Sequence, residues 1–240
     1  MVVQSNPFSI QVYRASESCM SGSSVGCTTV IFDSSVGPVL YYNQLLQIST
    51  RRSSDFVYGF GETEHLTFKH DMGWTSEGMW ARDNGVGPNS NLYGVQPYHL
   101  TMEKGTGHAN GLLFLNANAM EVEKSPLPMI TYRTIGGIID FLVLTGPTPN
   151  EVTRQYTHYL GRSYLYPYWS LGFQICRYGY NSLDQMTKVV EENRAIGIPY
   201  DVQYGDIDYM ERQLDFTIDI RSYNGLIDSV DKWRSEYNMR

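Results

Sequence analysis

Up to Gly146 the apolar positions come in short runs: "FSIQVYR", "TTVIFDS", "LLQIST", "FVYGFGE", "YGVQPYHLTME", "GLLFLNAN", "MITYRT" and "GIIDFLVLTG". Each is β-branched or aromatic and is bounded by Gly, Pro, Asn or Ser, which predicts strands joined by turns. Many short strands without helical patterns between them predict a β-sandwich over residues 1–147. The rhythm fails from Lys69 to Asn91, where "KHDMGWTSEGMWARDNGVGPNSN" reads as one long loop. A loop of that length is ordinarily functional or disordered, and its two Trp residues favour an ordered, functional one.

Beyond "TGPTPNEV" the spacing becomes helical. Thr148 caps a helix whose first turn holds Pro149 and Glu151; Val152, Tyr156 and Tyr159 share a face, and Gly161 ends it, giving a connector over residues 148–167. A strand is predicted at "YWSLGFQIC", Tyr168 to Cys176. Ser182 with Gln185 three positions on forms a capping box, opening a helix whose buried stripe is Leu183, Met186, Val189 and Val190 and which Gly197 and Pro199 end. A second strand, "YDVQY", precedes a helix near Gly225 to Tyr237 with Leu226, Ile227, Val230, Trp233 and Tyr237 on one side. This β-α-β-α order predicts parallel strands of a doubly wound sheet or a (β/α)₈ barrel, either of which binds ligands at the C-terminal strand ends. Two strands close neither, so the sequence reads as the start of a larger domain.

Asp206 and Asp208 fall at such an end. Two residues apart on a strand, they would face the same side. A catalytic carboxylate pair, a polar-ligand clamp and the charged end of a strand all fit that spacing.

Composition narrows the partners. The 240 residues carry a formal charge of −7, with no Lys/Arg cluster to neutralise phosphates, which argues against a nucleic acid. Nineteen Tyr alongside the Asp residues suit neutral polyols such as sugars, although solubility alone accounts for the acidic excess. No apolar run approaches the roughly 18 residues of a membrane span, and the first residues lack the pattern of a secretory leader. Cys19 and Cys27 flank a turn-like "MSGSSVG" and could close a local disulfide, which leaves Cys176 over. "GFGETEH", with Gly59, Gly61, Glu62, Glu64 and His65, has no second His or Cys cluster at recognised ligand spacing. Turn glycines on a polar strand edge account for it, and no metal is expected.

"YGFGETEH", "NLYGVQPYHL", "LLFLNANAMEV", "ITYRTIGGIIDFLVLTGPTP", "YWSLGFQICRYGY" and "IPYDVQYGDIDYMERQLDFT" together resemble glycoside hydrolase family 31, and within it the digestive α-glucosidases, from about Ile10 onward. The resemblance implies a galactose-mutarotase-like β-sandwich over residues 1–147, the helical connector over 148–167, and over 168–240 the first two βα units of an incomplete (β/α)₈ catalytic barrel. The rest of that barrel is expected in a longer parent protein. It also implies retaining, exo-acting hydrolysis of α-1,4 and, in some members, α-1,6 glucosidic bonds, with α-glucan oligosaccharides as partners and no cofactor. Relatives are membrane-anchored, secreted or lysosomal.

Carried over by motif, Asp206 is the residue that hydrogen-bonds hydroxyls of the non-reducing glucose, with Ile207 beside it. Tyr178 in "CRYGY" matches an aromatic that lines the sugar site in the family. Asp83 in "ARDNG" matches an acidic residue on the family's sandwich loop that reaches toward the sugar, and Asn84 follows it where family members vary, so that both are expected as substrate contacts. The family's nucleophile lies in a W-x-D-M-N-E motif and its acid/base Asp lies later still; neither occurs here. "HDMGW" lacks the preceding Trp and the following Asn-Glu, so no residue of this chain is assigned to catalysis. The resemblance therefore implies a portion that is inactive alone, the alternative being a truncated, non-catalytic carbohydrate-binding module.

Overall fold

The computed structural model describes residues 1–15, 28–88 and 90–240. Cys19 and Cys27, the expected local disulfide, lie outside the described residues. The chain divides into two compact units, Met1–Arg162 and Ser163–Arg240.

In the first unit the described residues form two antiparallel sheets. One holds β1 (Val2–Ser5), β2 (Phe8–Ala15), β3 (Thr28–Asp33), β5 (Leu45–Arg51), β11 (Met129–Thr134), β10 (Met120–Ser125) and β7 (Thr75–Met79) in that order, with β4 (Leu40–Tyr42) also paired to β5. The other runs β12 (Phe141–Leu144), β9 (Ala109–Phe114), β8 (Gln96–Met102) and β6 (Phe56–Gly61). Phe32, Ile48, Val122, Ile130 and Tyr132 of the first sheet form one core with Val57, Phe60, Leu112 and Phe114 of the second. That shared core makes the unit a sandwich, as the strand pattern predicts. Strand β10 shows the alternation that produces it: Met120 and Val122 point into the core, while Glu121 and Glu123 point out and both accept from Arg133 Nη1, at 3.0 and 2.8 Å.

A buried polar network also ties the two sheets together. Arg52, 2% exposed, donates to the Ile31 carbonyl (2.5 Å) in one sheet and to Asn110 Oδ1 (2.6 Å) in the other. Asn110 Nδ2 donates to Glu103 (3.0 Å), which Arg14 grips with both Nε (3.0 Å) and Nη2 (2.7 Å). Burial pulls the Arg52 pKa down to about 10, so the group is still a cation at neutral pH.

The region from Lys69 to Asn91 is not one loop, because β7 lies inside it and pairs with β10 from Met79↔Met120 to Thr75↔Lys124. Its apolar signal is a single Met, since the other buried position is Glu77, so alternation was invisible in the sequence. Strands β1, β4 and β10 are likewise additions: every residue of β1 and β4 is exposed, so neither shows a buried face, and half of β10 is charged.

Helix α1 (Pro149–Leu160) starts as expected, with Thr148 Oγ1 accepting from the Glu151 N–H at 3.2 Å. Val152 is buried and Tyr156 packs on Tyr98 with ring centroids 4.4 Å apart, but Tyr159 is 55% exposed. The packed face ends at Tyr156, and the last turn carries its apolar side chains into solvent.

The second unit pairs β13 (Gln174–Ile175) in parallel with β14 (Val202–Gln203), with α2 (Leu183–Ala195) between them in sequence and α3 (Leu226–Tyr237) after. The strand expected from Tyr168 is thus short. Tyr168–Leu171 form a 3₁₀ turn in which the Ser170 N–H and hydroxyl both donate to the Pro167 carbonyl, at 2.9 and 2.7 Å. This local bonding outcompetes the strand ladder. Helix α2 keeps its cap, Ser182 Oγ accepting from the Gln185 N–H at 3.2 Å, while Gln185 Oε1 reaches back to the Asn181 N–H at 2.9 Å. Leu183, Met186 and Val190 pack with Tyr200, Tyr223, Trp233 and Met239, and the Tyr223 hydroxyl donates to the Tyr180 carbonyl. Ile227 is 64% exposed, one residue and about 100° around the helix from Leu226, which does face this core.

Two stability predictions follow from these contacts. Arg52→Ala leaves Asn110 Oδ1 and the Ile31 carbonyl without their donor and should cost the first unit about 3 kcal/mol in urea denaturation; an unchanged midpoint would contradict the role given to the network. Thr148→Ala removes only a cap and should cost about 1 kcal/mol in the same assay, with Thr148→Ser restoring it.

Candidate functional site

The paired strands of the second unit end together, and the residues after them form the site. Pairing continues past β14: the Tyr204 N–H donates to the Ile175 carbonyl (3.0 Å), and its hydroxyl donates to Gln174 Oε1 (2.5 Å). Two segments leave this end, Cys176–Gly179 after β13 and Gly205–Tyr209 after β14.

Asp206 lies three residues beyond β14. It therefore does not share a strand face with Asp208, which corrects the i, i+2 expectation. Asp206 caps a 3₁₀ turn, Ile207–Tyr209, through Oδ1, which accepts from the Ile207 N–H at 2.7 Å. Its Oδ2 accepts from Cys176 Sγ at 3.5 Å. Burial and the neighbouring Asp206 carboxylate push the Cys176 thiol pKa up, so the sulfur keeps the proton it donates. Asp206 also has φ 46° and ψ −159°, a conformation costly for a residue with a Cβ. The two bonds to its carboxylate hold it there.

Asp208 has a different task. Its Oδ2 accepts from the Gly179 N–H at 2.8 Å, fixing the segment that carries Tyr178. Gly179 sits at φ +119°, so the anchored turn requires glycine. Tyr178 is 64% exposed, and its hydroxyl accepts from Gln213 Nε2 at 2.9 Å. Ile207 lies at the exposed edge of the same turn. The structure thus brings Tyr178, Asp206 and Ile207 to one strand end, on a support of Cys176, Asp208 and Gln213 that spacing alone did not single out.

Asp83 and Asn84 belong to the first unit, on the stretch between β7 and β8. Asn91 clips its base, donating from Nδ2 to the Trp80 carbonyl (2.6 Å) and accepting at Oδ1 from the Trp80 N–H (3.0 Å). Asn84 Nδ2 donates to the Asn91 carbonyl (3.0 Å), and its Oδ1 accepts from Arg82 Nη2 (3.1 Å). Asp83 is exposed and accepts from the Tyr93 hydroxyl at 2.6 Å. Asn84 is therefore a brace within the loop, and Asp83 is the group it presents.

The first unit also contains a potential metal-ligand group, His65, His70 and Glu77, whose ligand atoms all lie within 4.8 Å of one another. "GFGETEH" alone does not disclose this group, because its members come from two segments with no recognised ligand spacing. Folding β7 beside residues 65–70 brings them together.

Residues 163–239 match the family described as the glycosyl hydrolases family 31 TIM-barrel domain. Over 234 residues the chain is 47% identical to intestinal sucrase-isomaltase of Oryctolagus cuniculus, covering 98% of this chain and 12% of that protein. It is 39% identical over 202 residues to lysosomal alpha-glucosidase of Mus musculus, covering 84% of this chain and 21% of the relative. The chain thus spans a small part of the length of the relatives it matches. In fold it is similar to a Flavobacterium johnsoniae GH31 dextranase complexed with isomaltotriose, with a TM-score of 0.74 and 21% identity over 95% of this chain and 26% of that one. Among the described residues no helix is long and apolar enough to cross a membrane. Matched along almost its whole length by these relatives, the chain belongs to glycoside hydrolase family 31.

Proposed function

We propose that this chain supplies the non-reducing-glucose contacts of a retaining, exo-acting α-glucosidase that hydrolyses α-1,4, and by extension α-1,6, bonds of maltose and starch oligosaccharides. Residues 1–147 are its galactose-mutarotase-like sandwich, 148–167 a connector, and 168–240 the start of its (β/α)₈ barrel. The observation that carries this reading is the state of Asp206. A carboxylate has about four acceptor positions, and Asp206 uses one on the Ile207 N–H and one on the Cys176 thiol. Two remain, which suits two adjacent hydroxyl donors of a hexose. The fixed backbone means that the geometry is set before the sugar arrives.

Tyr178 offers an exposed ring to the C–H face of a pyranose, and Ile207 adds apolar contact beside the carboxylate. Asp83 and Asn84 are proposed as contacts from the sandwich loop, Asp83 accepting from a hydroxyl and Asn84 holding the loop in shape. Retaining hydrolysis needs a nucleophile and an acid/base about 5 Å apart. Asp206 and Asp208 are committed to binding and to backbone support, so both chemical groups are assigned to the remainder of the barrel.

The isolated 240-residue chain is accordingly expected to release no glucose from maltose above the buffer rate. Hydrolysis that Asp206→Asn abolishes would contradict the assignment of Asp206 to binding. Calorimetric titration with maltose should show binding that Asp206→Asn weakens about tenfold, the loss of one charge-assisted hydrogen bond. Equal affinity in the variant would remove Asp206 from the site.

A further inference from the structure

We propose that His65, His70 and Glu77 bind one divalent transition-metal ion, Zn²⁺ by preference, which clasps the segment after β6 to strand β7. His65 Nε2 lies 3.3 Å and His70 Nδ1 3.4 Å from Glu77 Oε1. With metal–ligand bonds of about 2.0–2.1 Å, the edge of a coordination tetrahedron is about 3.3–3.4 Å. Both separations match edges of such a tetrahedron, and the three ligand atoms all lie within 4.8 Å of one another.

The state of His70 points the same way. Its Nε2 is 2.6 Å from the Gly59 carbonyl oxygen, which can only accept, so Nε2 carries the hydrogen. In the neutral ring that leaves a lone pair on Nδ1, facing a carboxylate oxygen, and two acceptors at this distance require a cation or a proton between them. A histidine that donates its other N–H to a backbone carbonyl is also the usual outer-shell arrangement of a metal ligand. Gly59 is held for this contact by its place in the sheet: at φ +117°, a Cβ there would stand 2.7 Å from the Tyr98 carbonyl oxygen.

Glu77 supplies the independent observation. It is 7% exposed, and its Oε2 is buried with no hydrogen-bond partner, whereas Oε1 is shared by His65, His70 and the Lys124 ammonium. The Lys124 ammonium on Oε1 sets a positive charge against one side of the carboxylate and leaves Oε2 without a partner. The last torsion of Glu is broad and roughly two-fold, so a small turn of the carboxylate lets one oxygen keep Lys124 while the other takes the ion.

Thr63 Oγ1, 2.8 Å from His65 Nε2, is a rotatable hydroxyl beside the same position. A cleft of about 600 Å³, also lined by Glu64 and Asp71, opens over the cluster and gives entry and room for a water as fourth ligand. Two imidazoles and one carboxylate with an open position select Zn²⁺ over Mg²⁺ or Ca²⁺, which prefer all-oxygen sites.

The test is calorimetric titration of the chelator-treated, folded chain with ZnCl₂, alongside Co²⁺ titration followed by its visible absorption. Expected are one Zn²⁺ per chain with Kd below about 100 μM, a tetrahedral Co²⁺ spectrum, and a melting temperature that rises with Zn²⁺. His65→Ala, on a partly exposed side chain, should weaken binding at least about tenfold, whereas His108→Ala, on an exposed turn, should not. Glu77→Gln should abolish the Co²⁺ spectrum. Weaker binding than this in the wild-type chain, or equal affinity in His65→Ala, would overturn the site and assign the cluster to a shared proton.

Discussion

The placement of Tyr178, Asp206 and Ile207 depends on a parallel pairing only two residues long. Gln174–Ile175 with Val202–Gln203 would be marginal by itself. Backbone bonds on both sides extend it, from the Asp201 N–H to the Phe173 carbonyl (2.9 Å), and from the Gln203 N–H to Arg240 and the Arg240 N–H to Asp201, at 3.0 and 2.8 Å. Helices α2 and α3 then close an apolar core around Trp233, Tyr223 and Val190. Because the strands end together, Tyr178 and Asp206 emerge at one end. Cys176 and Asp208 then convert proximity into geometry, the first by donating to Asp206 and the second by accepting from Gly179.

The first unit solves a different problem. A sandwich with one apolar core still has polar residues to place, and here they are paired inside it. Arg52, Asn110, Glu103 and Arg14 link the sheets through charge-assisted bonds. Lys124, His70 and Glu77 gather at β7 in the same way, except that Glu77 Oε2 is left unpaired. In one network every named charge has a partner, and in the other a carboxylate oxygen is available to a ligand.

What the sequence disclosed follows from how local each signal was. Strands such as Leu45–Arg51 and Met129–Thr134, and the caps at Thr148 and Ser182, are written in adjacent residues and stand in the structure where expected. Strand β7 carries one Met and a buried Glu, so its inward face depended on partners far along the chain. The expected strand from Tyr168 yielded to a turn closed by Ser170. Asp206, Ile207 and Tyr178 were singled out through family motifs, and the structure places them at one strand end. The division of labour between Asp206 and Asp208 was not legible, since it depends on the strand stopping at Gln203 and on which backbone N–H each carboxylate meets. His65, His70 and Glu77 were hidden for the same reason, being neighbours only after two segments pair.

Both candidate sites thus rest on carboxylates with acceptor positions left over after the fold has used the rest. For Asp206 this is the central claim, and a crystal structure of the chain grown with maltose tests it most directly. The account predicts a glucose ring with two adjacent hydroxyls within hydrogen-bonding distance of the Asp206 carboxylate and a C–H face against Tyr178. A sugar bound elsewhere, or an Asp206 carboxylate turned away from the ring, would contradict it.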